Sequence, residues 1–161
     1  MSREPRASRP HMPDYGLAEP GEGLLAWSWA VERLERTRNY WVATTRQDGR
    51  PHAAAVWGVW IDGAFVFSTA TGSRKARNLA RNASCVVCTE SAEEAVTIEG
   101  TASPVRDDET LASFRRVYKE KYDWPMDDVV EGVYRVAPRT VFGFIEHANQ
   151  FSKTATRWQF D

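Results

Sequence analysis

The sequence predicts a mostly β fold, an antiparallel barrel of six to seven short strands with helices at its periphery. Seven short runs are dense in β-branched and aromatic residues, and most are neighbours in the chain, parted by turn signals such as Asp48-Gly49 and Asp62-Gly63. Helical periodicity interrupts them at only three places, whereas a parallel sheet needs a helix after nearly every strand.

Residues 1–20 are rich in Pro, Arg and Ser without periodicity, which predicts a disordered or extended arm, mobile or lying on a partner. Residues 21–161 then form a single domain. Over residues 22–38, Leu24, Trp27, Val31 and Leu34 recur at helical steps and make an amphipathic helix. A meander follows: strands over residues 40–45, 51–60 and 64–69, joined by the turn at residues 47–50 and by Asp62-Gly63. Ser73 is a good N-cap, so a helix begins at Arg74 with Ala76, Leu79, Ala80 and Ala83 on its apolar face and Arg74, Lys75, Asn78 and Arg81 at its rim. Strands over residues 84–90 and 95–105 come next, the second with Val96 and Ile98 inward and a bulge at Gly100. Asp107-Asp108 starts a helix to about Tyr122, with Leu111, Phe114, Val117 and Tyr118 as its apolar face. Trp124-Pro125 ends it, and residues 126–131 suggest a short helical turn. Strands over residues 132–136 and 140–145, parted by residues 137–139, lead to a tail whose residues 154–160 close the sheet as an edge strand.

A formal charge of -1 excludes the globally basic surface expected of a nucleic-acid or membrane-surface protein, so positive charge here acts locally. Cys85 and Cys88 lie three apart on a strand, so their thiols face opposite sides and make neither a disulfide nor a shared metal site. No apolar run is long enough to span a bilayer, and a reducing cytoplasm is the expected address. His11, His52 and His147 fall in no metal-binding spacing, so no metal is expected and the three read as surface or structural residues. Neither a Gly-x-Ser-x-Gly elbow nor a Walker-type loop is present, which removes the common hydrolase and nucleotide-hydrolysing classes.

What survives is an anion cradle. Free N–H groups of a first helical turn, the positive end of the helix dipole and the adjacent cations Arg74 and Lys75 suit a phosphate monoester. The same residues also fit a solvated basic helix face. A phosphate site, many aromatic residues and no evident nucleophile or base are what a protein shows when its cofactor carries the chemistry, and no catalytic side chain is assigned.

Residues 65–82, including Thr69 and Ser73-Arg74-Lys75, resemble the strand, loop and helix of the pyridoxamine 5′-phosphate oxidase-like, FMN-binding split-barrel flavoproteins. In that superfamily a Thr at the strand end and a Ser-Arg-Lys at the helix start contact the phosphate and ribityl chain of FMN. The resemblance therefore implies a split β-barrel and assigns cofactor contacts to Thr69, Ser73, Arg74 and Lys75, with Asn78 beside them. Residues 44–52 and 53–60 are similar to the family's opening hairpin and second strand, and Arg157-Trp158-Gln159-Phe160 more loosely to the ending of many relatives. On this reading the backbone of Ala53, Ala55 and Val56 runs along the ring edge, and Trp57 or Trp60 flanks the ring or packs in the core. Arg157 and Trp158 either reach the cofactor of an opposite subunit or tie down the terminus.

Two departures separate this chain from the true pyridoxamine phosphate oxidases: residues 53–57 carry no Arg or Lys, and the C-terminal substrate pattern is absent. The substrate is then a different or unknown small organic molecule. A branch of the superfamily that binds the deazaflavin F420 is similar in Asp48-Gly49-Arg50-Pro51 and in Lys75-Ala76-Arg77-Asn78-Leu79. Ser73-Arg74-Lys75 favours FMN and the cation-free strand favours F420, so FMN is expected with F420 as the alternative. The resemblance implies a homodimeric oxidoreductase with cofactor sites at the subunit interface, the helix over residues 24–34 helping to bury it. The alternative is a non-catalytic flavin-binding or sensing protein.

Overall fold

The computed structural model of this chain describes residues 4–129 and 131–161. Its elements in order are β1 (Arg6–Ser8), α1 (Trp27–Arg36), β2 (Tyr40–Thr45), β3 (Pro51–Val56), β4 (Gly58–Ile61), β5 (Ala64–Ser68), α2 (Arg74–Arg81), β6 (Ser84–Thr89), β7 (Glu94–Pro104), α3 (Asp108–Tyr122), β8 (Val133–Ile145), α4 (Phe151–Thr154) and β9 (Thr156–Gln159). Every pairing is antiparallel, in the order β1-β9-β8-β7-β6-β2-β3, with β4 on β5 and β5 on the first half of β8.

The residues expected to form one strand over 51–60 form two. β3 pairs with β2, and after a bend at Trp57 β4 pairs instead with β5. The hydrogen-bonded sheet is therefore open between β3 and β4, and the covalent chain carries it across the split. Only glycine fits the bend, because a Cβ on Gly58 would lie 2.3 Å from the Phe65 ring. The reverse holds later: the break expected at residues 137–139 is a bulge within the single strand β8. Glu99 pairs with Thr140 and Gly100 with Pro138, so Arg139 is the extra residue and the ladder runs on past a proline.

Alternation along the strands sets the core. Tyr40, Val42, Phe65, Phe67, Val87, Val96, Ile98, Val141 and Trp158 fill the barrel, and Ala30 and Leu34 of α1 close one end. A second cluster joins Leu111, Phe114, Tyr118 and Tyr122 of α3 to Val59 and Val66. The apolar face of α1 thus serves the chain's own core: Trp27 packs edge-on against Trp60, Trp158 and Phe160 at 5.2–6.1 Å.

Of the disordered or extended arm expected over residues 1–20, Arg6–Ser8 form an extended strand. Arg6 pairs with Gln159 and Ser8 with Arg157, so β1 covers β9, which is no longer an edge. Arg9 fastens the arm by donating to the carbonyls of Ala18, Ala155 and Glu22. Residues 126–131, expected to make a helical turn, show a simple turn at Asp127 and Asp128 among the described residues. Cys85 faces the core, Cys88 is half-buried on the other side of β6, and both thiols are free.

Candidate functional site

The loop from β5 to α2 is fastened before any ligand is considered. The Thr69 hydroxyl donates to Ser73 Oγ at 2.9 Å, and Ser73 Oγ also accepts the Ala76 N–H at 3.1 Å as the helix N-cap. Thr69 N–H donates to the Gly132 carbonyl at 2.8 Å, and Ser73 N–H to Ala70 at 2.9 Å. Among the described residues this leaves the N–H groups of Arg74 and Lys75 as the free donors of the first turn. Arg74 is exposed and Lys75 half-buried, so both ammonium and guanidinium groups remain available.

Asn78, expected at the rim, is 2% exposed. Its amide donates to Thr44 Oγ1 at 2.9 Å, which clamps α2 onto β2. Residues three and four apart share a helix face, so Lys75 and Arg74 stand one turn above this clamp. Ala80, expected on the apolar face, is instead exposed. The helix turns its polar Asn78 inward because a buried hydroxyl meets it there.

Arg50, which the sequence reading placed in a turn, and Arg46 just before that turn belong to the same place. The β2–β3 hairpin brings Arg46 and Arg50 to a cleft of about 430 Å³ lined by Arg46, Gln47, Asp48, Arg50 and Arg74. Asp48 is engaged by Arg50 at 2.8 Å, and that guanidinium holds its carboxyl below the usual carboxylate range. Arg46 Nε is shielded from solvent yet has no hydrogen-bond partner among the described residues, and the same is true of His52 Nδ1. Partial burial, then the charges of Arg46, Lys75 and Arg74, push the His52 pKa down. A signal existed in the sequence: cations on a hairpin tip are as able to reach a neighbouring helix start as cations on the strand itself. Which helix they reach is a tertiary fact.

A larger groove of about 600 Å³ runs across β2, β6, β7 and β8, lined by residues such as Thr45, Pro51, Val86, Glu99 and Arg139. It holds one cation against one carboxylate, so an anionic ligand is better matched by the smaller cleft.

The remaining sequence-predicted residues divide. Ala53 and Ala55 are exposed on β3, and Val56 is half-buried. β3 pairs only with β2, so alternate N–H and C=O groups along it point outward. Trp57 is not open to a ligand on both faces. Its ring stacks on Tyr122 at 4.6 Å and 7°, and its Nε1 donates to Asn39 Oδ1 at 3.2 Å. Trp60 is buried in the core. Trp158 is a correction as well: it is 0% exposed, and its ring lies so close to Gly143 that a Cβ there would meet it at 2.8 Å. Arg157 sits beside it on β9 and donates to Ser8 Oγ at 3.2 Å, serving the terminus.

Among the described residues no cluster of three or more His, Cys, Asp or Glu is arranged to hold a metal ion, and no helix is long and apolar enough to cross a membrane.

No curated protein matches the chain. Solved structures of similar fold include an F420 reductase, 24% identical with a TM-score of 0.57, over 68% of this chain and 93% of that one. A conserved hypothetical protein from Mycobacterium tuberculosis is 24% identical with a TM-score of 0.64, over 77% of this chain and 87% of that one. A heme binding protein from Mycobacterium smegmatis is 23% identical with a TM-score of 0.62, over 76% of this chain and 56% of that one. These likenesses show a common fold. The sequence model described as pyridoxamine 5′-phosphate oxidase matches residues 30–145, a span that runs from α1 through the cradle to the end of β8, and the chain belongs to that family.

Proposed function

We propose that this chain is an oxidoreductase that holds a phosphorylated flavin, FMN, or alternatively the deazaflavin F420, in the cleft between α2 and the β2–β3 hairpin. The observation that carries this reading is the convergence of Arg46, Arg50 and Arg74 on one cleft at a capped helix N-terminus. The residues present fit the group. Arg46 Nε and His52 Nδ1 are shielded polar atoms without partners among the described residues, and an anionic ligand satisfies such atoms at little cost.

The ring, once bound, supplies two-electron transfer to or from a small organic substrate. The chain's residues bind and orient it. Arg74 and Lys75 take the phosphate through their side chains and their free N–H groups, while Thr69 and Ser73 hold the loop in shape. Ala53 and Ala55 keep the open edge of β3 low, so a flat ring can lie against its outward N–H groups. Trp57, held by Tyr122 and Asn39, fixes the end of that edge.

A second copy of the chain is part of this reading. The face carrying Ala53 and Ala55 also presents Trp41, which pairs with Ala55 across the ladder and is 49% exposed. A homodimer that covers this face removes Trp41 from water and sets two equivalent sites along the boundary. The helix α1 contributes little to it, because its apolar side is spent on the chain's own core.

Titration of the purified chain with FMN, F420 and hemin, followed by absorbance and fluorescence, tests the assignment. Saturable binding of FMN or F420 supports it, and rapid reoxidation in air after reduction separates FMN from the oxygen-inert deazaflavin. Saturable binding without turnover of any added substrate would leave a binding or sensing role. Binding of hemin alone, or of none of the three, removes the reading.

A further inference from the structure

His52 was set aside in the sequence as one of three scattered histidines, and the structure gives it a specific position. It lies on the side of β3 that pairs with buried Thr44, the residue that receives the Asn78 amide from α2. That clamp brings the first turn of α2, with Arg74 and Lys75, over the same end of the hairpin that carries Arg46. Its Nδ1 is shielded from solvent and has no hydrogen-bond partner among the described residues. An imidazole nitrogen in that condition is costly to keep unless something occupies it for part of the protein's working cycle.

We propose that His52 is a further contact of the anion cradle, and that it takes up a proton when a phosphate-type dianion binds. This rests on the cradle reading given above and adds to it a residue and a linkage. The charges that act on the imidazole are those of Arg46 from the hairpin and of Lys75 and Arg74 from α2, and Asp48 at the hairpin tip is already engaged by Arg50. Without an anion, burial and these three cations oppose a fourth positive charge and hold the imidazole pKa below its ordinary value. A bound dianion offsets those cations and accepts a hydrogen bond from the protonated ring. The balance is one proton taken from solvent onto the imidazole, with no bond made or broken in the ligand.

The sign follows from linkage. The bound form holds the proton more tightly than the free form, so binding is strongest at low pH and weakens as pH rises through the imidazole pKa of the complex. Each unit by which the dianion raises that pKa is about a tenfold gain in affinity between the two limits.

Inorganic sulfate is the probe, because it stays dianionic across the range and any pH dependence belongs to the protein. Calorimetric titration of the full chain should show sulfate binding about tenfold tighter near pH 5 than near pH 8, for a rise of about one unit. His52→Gln, which keeps an amide donor but cannot titrate, should flatten the profile. In the wild-type chain the His52 ring signals, assigned by their loss in His52→Gln, should titrate at higher pH with sulfate than without it. A sulfate affinity that is lost in Arg74→Ala/Lys75→Ala but has the same pH profile in wild type and His52→Gln overturns the role of His52 and leaves the cradle standing. The same is true if the His52 signals titrate at one pH with and without sulfate. No binding of sulfate, FMN or F420 at any pH overturns both.

Discussion

The side-chain amide of Asn78 donates to the hydroxyl of Thr44 across 2.9 Å, with both residues almost fully buried. This bond, with Leu79 packed in the barrel core, holds a helix of eight residues on the sheet, and the helix carries the cations on which the site depends. The next residue across the ladder from Thr44 is His52, so one contact sets the spacing between the helix start and the hairpin.

Asn78→Ala therefore leaves a buried hydroxyl without its partner and a space where an amide packed. A loss of about 1–3 kcal/mol in folding stability is expected, read from urea denaturation of the apo chain. The affinity for FMN should fall as well, measured where the variant is still folded. A variant with wild-type stability would show that the clamp is dispensable.

Arg74→Ala combined with Lys75→Ala removes two charge-assisted contacts of about 1.5–3 kcal/mol each, so cofactor affinity should drop by more than a hundredfold. Arg46→Ala, in the hairpin, should cost about as much as one of them because its Nε has no competing partner among the described residues. Fluorescence titration checks both. Unchanged affinity in the double variant would take the phosphate away from the helix tip.

Gly132 lies at φ +73, and a Cβ there would stand 2.1 Å from the Thr69 carbonyl. Its own carbonyl accepts the Thr69 N–H, so it holds the β5–α2 loop from outside the cleft. Gly132→Ala is expected to push the loop outward and lower cofactor affinity, with a stability loss of about 1–3 kcal/mol from the strained backbone. The loop displacement is measurable as weakened amide protection at Thr69 in hydrogen exchange.

Lys121 donates from Nζ to the Tyr40 hydroxyl at 2.7 Å and to the Gly58 carbonyl at 3.0 Å, bracing the bend between β3 and β4. Burial, helped by the charge of Arg38, pulls its pKa down to about 8, while burial pushes Tyr122 up to about 12 and raises Tyr40 as well. Between pH 8 and about 10 the unfolded chain keeps a proton on this amine that the native chain has released, so this group makes stability rise with pH. Above about pH 10 the two tyrosines reverse the trend, because they ionise only when unfolded. Urea midpoints between pH 8 and 10 should rise less in Lys121→Met than in the wild type. Equal slopes would assign the effect elsewhere.

Local signals in the sequence were enough for the β-rich antiparallel class, the Ser73 cap, the start of α2, the register shift at Gly100 (though its extra residue is Arg139 on β8) and the opposed cysteines, because each depends largely on residues a few positions apart. The split at Trp57 and the continuity of β8 through Pro138 escaped that reading, since a strand's partner, not its own composition, decides where it bends. The same reason covers the burial of Asn78 and Trp158, whose surroundings come from β2, α1 and β8.

By itself the sequence determined the chemistry on offer: a capped helix tip bearing Arg74 and Lys75, a cation-bearing hairpin and a strand of small residues. Only the tertiary structure decided that Arg46 and Arg50 stand beside that tip and that Trp158 does not, because ladder register and helix docking act between residues far apart in the chain.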